Sequence, residues 1–327
     1  MLTTFFANAI QFGVIFLFGC VGEILTEKSG HLNLGIPGIM CAGAAGGCFG
    51  AKLYLMSAAD PNGFVTVLLA ILFAMVFAGL LGAVYAFLTV TLRCNQNVTG
   101  LAVTIFGVGF TSFFLNNVVL IGEGVTTALS NAGRNFFNAD IPGAESLGWF
   151  GAIFLGHGVM VYLGIVIAVL AAVLLRYTRV GLSLRAVGEN PATADAVGIR
   201  VTNYKYTFII VGAAIAGLGG LCYVMDYMNG IVGATVEQTI QGIGWLSIAL
   251  VIFTMWKPAL AILGSIVFGA LYIIPSFIGG IAFEQIQLLN LIPFIVTILV
   301  LIVTSIVGNR ETQPPASLGL SYFREDR

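Results

Sequence analysis

The chain has very little charge. Asp, Glu, Lys and Arg make up 8% of its 327 residues, against about 25% in soluble domains. So few charged groups cannot clothe a soluble surface, so the bilayer is expected to be the solvent for most of the chain. The formal net charge of -1 leaves no bulk basic field for nucleic acid. Cysteine is sparse and scattered. Cys20, Cys41, Cys48, Cys94 and Cys222 lie in or beside apolar runs, with no CxxC or Cys/His spacing, which argues against a disulfide framework or a metal site. No Ser/His/Asp set, HExxH motif, paired intramembrane aspartates or GxxxxGK[ST] loop occurs, so an intramembrane enzyme and a self-contained ATPase are both disfavoured. Ionisable residues inside the apolar runs are nearly absent. That argues against an ion-coupled carrier acting alone, which needs them at mid-membrane.

What is present is apolar length. Hydrophobic residues make up 59% of the chain, and a helix needs about 20 of them in a row to cross the hydrocarbon core. Nine stretches meet or approach that length: 5–24, 34–56, 65–92, 98–121, 158–176, 205–226, 239–256, 258–281 and 290–308. They run continuously and do not alternate, so the fold class is an all-α integral membrane protein and not a barrel. The first run begins almost at Met1 with no basic flank or small-residue cleavage site, and reads as a retained span.

Basic residues set the orientation. Placing Arg176, Arg179, Arg185, Arg200 and Lys205 in the cytoplasm, with Arg310, Arg324 and Arg327 of the tail, also puts Lys28, Arg93 and Lys257 there. Eleven of the thirteen basic residues are then inside, and only Lys52 and Arg134 are outside. The N-terminus is expected outside and the C-terminus in the cytoplasm, which nine spans satisfy. Residues 1–308 read as a single transmembrane domain with an outside loop at 122–157, carrying Glu123, Asp140, Pro142 and Glu145, and an inside loop at 177–204. The tail 309–327, with Pro314-Pro315, reads as a docked or flexible strap.

Glycine is abundant at 42 residues. Gly43 with Gly47, Gly46 with Gly50, Ala78 with Gly82 and Ala213 with Gly217 are small-xxx-small pairs. This spacing lets helices pack closely in lipid, whether for tight packing or for sliding. A glycine-rich helix follows a polar turn at both 33–50 and 203–220, a weak internal symmetry of the kind transporters often carry.

Four polar segments interrupt this background. Residues 22–38 join the first two spans with four glycines, His31, Asn33 and the helix breaker Pro37. The segment is either an ordinary turn or irregular backbone that lines a cavity. In 183–199, Asn190-Pro191 is a strong helix start and Gly198 a stop. The short helix between them, with Ala192, Ala196, Val197 and Ile199 nearby, could offer an apolar face to a groove on another protein. Asn95-Gln96-Asn97-Val98-Thr99 enters the fourth span, where amides cap a helix or bond a polar solute. Gln241 and Trp245, four residues apart, share one helix face and would suit a planar polar solute. Interfacial anchoring is the commoner role of a tryptophan there.

Several of these segments resemble one family. Thr26-Glu27-Lys28-Ser29-Gly30-His31-Leu32-Asn33-Leu34-Gly35 is similar to the signature turn of ribose-type ABC importer permeases, in the branch associated with nucleosides. Ala186 to Pro191, followed by Ala194, Gly198 and Ile199, resembles that family's coupling loop. Asn97 to Leu101, Ala249 to Phe253 with Trp256-Lys257-Pro258, and the ending Pro315 to Gly319 with Tyr322 to Arg324 extend the likeness over nearly the whole chain. The resemblance implies a multi-pass permease of the bacterial cytoplasmic membrane, embedded in lipid. Its partners would be a second homologous permease, a cytoplasmic ABC ATPase and an outside substrate-binding lipoprotein, with no nucleic acid. ATP and Mg would sit on the ATPase, and this chain would bind no cofactor. It makes Asn33, Asn97, Thr99 and Gln241, to which the residues add Trp245, candidates for the solute pathway. It also assigns Arg185, Gly188, Glu189, Asn190, Pro191, Asp195 and Gly198 to coupling with the ATPase. One departure stands out: Pro37 occupies a position where many family members carry Glu. The solute implied is a nucleoside, with a neutral sugar such as ribose as the alternative and an amino acid third.

Overall fold

The computed structural model describes residues 2–139, 147–278, 285, 288–289, 291–307 and 313–323. In chain order its helices are α1 Leu2–Glu27, α2 Ile36–Ser57, α3 Gly63–Thr91, α4 Gln96–Val119, α5 Val125–Ala132, α6 Gly148–Phe154, α7 Val159–Tyr177, α8 Arg179–Glu189, α9 Pro191–Ala196, α10 Val201–Tyr227, α11 Val236–Phe253, α12 Pro258–Phe277 and α13 Ile292–Val307. No strand occurs among the described residues. Eight helices are long and apolar enough to cross a membrane, and all eight coincide with runs expected from the sequence. The ninth run is α13, whose apolar stretch is shorter.

Local chemistry sets the helix starts. Asn62 caps α3 by accepting from the Phe64 N–H at 2.9 Å. Asn95 caps α4 through the Val98 N–H at 3.1 Å. Pro37 and Pro258 stand in the first turns of α2 and α12, where a missing N–H costs nothing. The segment expected as a plain loop at 122–157 holds α5, prolonged by a π-helical turn at Gly133–Phe137, and α6. Asp140, Pro142 and Glu145 of that segment lie outside the described residues, as do Arg310, Arg324 and Arg327.

At the centre α1 lies against α10, and both are buried almost throughout, whereas α3, α4, α7 and α12 keep a broad exposed apolar face. The small-residue pairs sit at helix crossings. Gly43 and Gly47 face Gly217 and Leu221 of α10, while Gly46 and Gly50 face Phe77 and Phe73 of α3. Ala78 and Gly82 of α3 meet Gly217 and Ala213 of α10.

Part of the packing is pseudo-symmetric, although α2 packs on α3 far more extensively than α11 on α12. α1 packs on α12 as α10 packs on α3, α10 on α2 as α1 on α11, and α2 on α4 as α11 on α13. The turn after α1 and the turn after α10 share a backbone pattern. Gly30 and Gly230 take positive φ of 86° and 71°. The N–H of Ile36 reaches the Asn33 carbonyl as that of Val236 reaches Gly233. The repeat therefore aligns 28–35 with 228–235, a different register from the glycine-rich segments 33–50 and 203–220, whose glycines serve close packing. Because α1 and α10 run in opposite directions, the two turns lie at opposite ends of the bundle, an inverted-repeat arrangement.

One end gathers the basic residues. Lys28 lies among Arg185, Glu189 and Lys257, and Arg93, Arg200 and Lys205 line one cavity. Lys52 is at the other end, donating to the carbonyls of Val118 at 2.6 Å and Ile121 at 2.8 Å.

Candidate functional site

The turn 28–35 is the most enclosed polar segment of the basic end. Ser29, His31 and Asn33 are all buried. Buried backbone groups need partners, and several helices supply them. The Asn33 N–H donates to Oε1 of Glu23 at 2.9 Å, and Asn33 Oδ1 accepts from the Gly35 N–H at 2.9 Å. Gln96 Oε1 accepts from the Leu32 N–H at 2.8 Å. The hydroxyls of Tyr85 and Thr104 donate to the carbonyls of Leu32 and Leu34 at 2.6 and 2.7 Å. One donor is left over: Asn33 Nδ2 is buried with no hydrogen-bond partner among the described residues.

The other face of the turn is covered by α8 and the tail. Gly188 lies against the Lys28 backbone, so close that a side chain there would strike the Lys28 carbonyl. The Gly188 carbonyl accepts from the Ser317 N–H at 3.0 Å and its hydroxyl at 2.5 Å. The Gly319 N–H donates to the Gly30 carbonyl at 3.3 Å, and the Ala316 N–H to the Glu189 carboxylate at 3.4 Å. Tyr322 Oη donates to Asp195 Oδ2 at 3.0 Å. The tail is thus a docked strap over 315–322 that ties the turn to α8 and α9. Burial lowers the Lys28 ammonium from its ordinary pKa, with Glu189 opposing, and burial beside Lys205 holds His31 neutral, at about 3.

The candidates for coupling divide by exposure. Arg185, Glu189, Asn190 and Gly198 are exposed, Pro191 and Asp195 half-buried, and Gly188 buried. Asn190 Oδ1 accepts from the Thr193 N–H at 3.0 Å and caps α9, and Gly198 has φ of 88°. Beside them Val180, Leu182 and Val197 are exposed. Ile199 instead packs inward with Val187, Ala194 and Val201, so it is not part of any outward apolar face.

The pathway candidates are not brought together as a group. Asn33 is buried in the turn. Asn97 is exposed beside it in sequence, while its neighbour Gln96 makes the contact to the turn. Thr99 is buried and bonds its own helix through the Asn95 carbonyl at 2.8 Å. Gln241 and Trp245 lie half-buried on α11. Pro37 is buried against Gly244 of that same helix, which places the departing position at the α2–α11 crossing.

One expectation is corrected. The spans do hold buried ionisable groups: Glu23 and Glu27 on α1, and Lys205 and Asp226 on α10. Glu23, Glu27 and Asp226 each accept a hydrogen bond from another segment of the chain. Glu27 accepts from the indole N–H of Trp256. Asp226 Oδ1 accepts from Gln11 Nε2 at 2.9 Å, in a network where Asn138 Nδ2 donates to the Asp226 carbonyl at 3.0 Å and to Asn229 Oδ1 at 2.8 Å. This network pins the 228–235 end of α10 to α1, and no motif in the sequence announced it.

Residues 5–301 match the family described as the branched-chain amino acid transport system permease component. The chain belongs to that permease family. Over 299 residues this permease is 31% identical to the nucleoside ABC transporter permease protein NupC of Lactococcus lactis subsp. cremoris (strain MG1363), with 90% of each chain covered. It is 29% identical over 315 residues to the guanosine ABC transporter permease protein NupQ of Bacillus subtilis (strain 168), covering 94% of this chain and 92% of that one. A protein named as a glucose ABC transporter permease, TsgC13 of Haloferax volcanii, is 30% identical over 264 residues, covering 80% and 74%. NupC and NupQ each come from an organism with a second, more distant relative of this permease, NupB and NupP, at 24% and 23% identity. No solved structure matches.

Proposed function

We propose that this permease moves a nucleoside across the bacterial cytoplasmic membrane as one subunit of an ABC importer. The observation that carries the reading is near-full-length similarity to permeases named for nucleosides and guanosine. The paired relatives in two organisms support a second permease subunit. In this reading the basic end faces the cytoplasm, and the N-terminus lies outside. An ABC ATPase docks on the exposed surface of α8 and α9, around Arg185, Glu189, Asn190 and Leu182, and binds the ATP and Mg. A binding lipoprotein delivers solute at the opposite end. This chain itself carries no cofactor.

The geometry supports a coupling route. A push on α8 reaches the α1–α2 turn at once, because Gly188 rests on Lys28 and the strap bonds both. The turn is continuous with α1 and α2, which cross α10 and α11. A change of position there shifts the path between the two ends. Asn33 Nδ2, Gln241 and Trp245 offer uncharged polar and aromatic contacts to a neutral, planar solute. Weak contacts suffice because the binding protein supplies affinity.

The test is uptake of radiolabelled guanosine, adenosine, uridine, ribose and glucose in cells with and without the gene. Loss of nucleoside uptake alone is expected. Loss confined to ribose or glucose keeps the permease role and moves the solute to a sugar, the reading that the TsgC13 similarity favours.

A further inference from the structure

The basic end also holds a cavity of about 470 Å³, distinct from the proposed solute pathway and bordering the coupling candidates Asp195 and Gly198. It opens between the end of α3, the start of α10 and the strap. Its walls include Arg93, Arg200 and Lys205, with Asp195, His31 and Tyr322. Three cations thus face one carboxylate, and that carboxylate already accepts from Tyr322 Oη. Lys205 is only 3% exposed, and its ammonium, 5.8 Å from the Tyr322 ring centroid, has no ion pair among the described residues. Arg200 has none either, and Arg93 lies 4.5 Å over the Phe323 ring with no carboxylate partner among the described residues. The Arg93 backbone takes a φ of 56°, uncommon for a residue with a side chain. Strain of this kind clusters at ligand sites. His31, 1% exposed, keeps Nδ1 without a hydrogen-bond partner among the described residues and is held neutral by burial.

Among the described residues a single carboxylate, Asp195, stands in this wall with three cations; an incompletely compensated buried ammonium is costly, which favours an anion in the cavity. Guanidinium forks and an ammonium are the groups that bind phosphate oxygens. The volume exceeds a bare inorganic ion and falls in the range of small-molecule sites. Thr89, Thr202 and Asn203 in the wall add neutral hydrogen-bonding groups for hydroxyls. We infer that this cavity binds a small phosphate ester at the basic end of the permease, bridging α9 and α10. The ester is either a soluble sugar or nucleoside phosphate or the glycerophosphate headgroup of an anionic lipid. Asp195, Gly198 and Arg200 of the α9–α10 link line the site, so a bound ester fixes α9 relative to the bundle. The inference does not depend on which solute is carried.

The test uses the purified full chain in phosphatidylcholine nanodiscs, read by thermal unfolding against ribose 5-phosphate and against ribose. Ribose 5-phosphate is expected to raise the unfolding temperature in a saturable way, and ribose is not. Arg200→Ala, an exposed position that should not disturb folding, is expected to weaken the response about tenfold, as is Lys205→Met if it folds. Arg134→Ala at the opposite end should leave the response unchanged. In phosphatidylglycerol nanodiscs, a retained response marks the soluble ester as the natural ligand, and a lost response marks the headgroup as the occupant. Both support the site. A response to ribose 5-phosphate that Arg200→Ala leaves intact, or no response in phosphatidylcholine, overturns it.

Discussion

The turns at 28–35 and 228–235 share a backbone pattern and differ in almost everything else. The first is buried, filled with His31, Asn33 and Ser29, and roofed by α8 and the strap. The second leaves Ile231, Gly233, Ala234 and Thr235 exposed, and its polar network lies to one side, through Asp226 and Asn229. One turn is therefore held under α8 and the strap, and the other is open to whatever approaches that end. In an inverted repeat the two halves can exchange conformations. In the proposed reading this asymmetry of cover suits force transmission at one end and solute entry at the other.

The largest contrast is expected at equivalent positions. Asn33→Leu leaves the Gly35 N–H unpaired in a buried site and should cost about 3 kcal/mol. Gly233→Asn, at an open position with nothing near its Cβ, should change stability by less than about 0.5 kcal/mol. Thermal unfolding of the purified chain checks both, and equal losses would break the comparison. Trp256→Phe comes next. It removes the indole N–H that serves the buried Glu27 carboxylate and should cost about 2 kcal/mol. The same measurement on this variant reads that loss.

The third contrast is in pH. His31 is neutral in the fold, with its pKa lowered from 6.5 to about 3. The unfolded chain then binds more protons below pH 6.5, so stability falls as pH drops through that window toward 3. From pH 6.5 to 5.5 the loss attributable to His31 is expected to reach at most about 1.4 kcal/mol. Denaturation at the two pH values should show this slope shrinking in His31→Gln. The smallest effect belongs to the strap. Ser317→Ala removes one of two bonds to the Gly188 carbonyl, about 1 kcal/mol. Hydrogen exchange should quicken at 315–322 and at 28–32, with no change at 228–235.

The spans were legible because continuous apolar length is a one-dimensional signal, and the caps at Asn95 and Asn190 and the stop at Gly198 were legible because they act within a few residues. The covered turn was visible only as a polar interruption. Its partners Gln96, Tyr85, Gly188 and Ser317 are scattered along the chain, and nothing local shows that they converge. Gln96 was read with Asn97 as one amide cluster, yet on a helix adjacent residues point apart, so one reaches the turn and the other is exposed. Glu23 and Asp226 were lost in apolar runs for the same reason. A single acid there shows its role only when the donor brought to it by another element is known.

The decisive question is whether the α8–α9 surface at the covered end drives transport. ATP-dependent guanosine uptake should be compared in cells carrying the unmodified permease and Leu182→Asp, on that surface, with membrane levels of both checked. Uptake is expected to vanish in Leu182→Asp although the protein reaches the membrane. Uptake at the unmodified rate in Leu182→Asp would show that this surface takes no part in coupling.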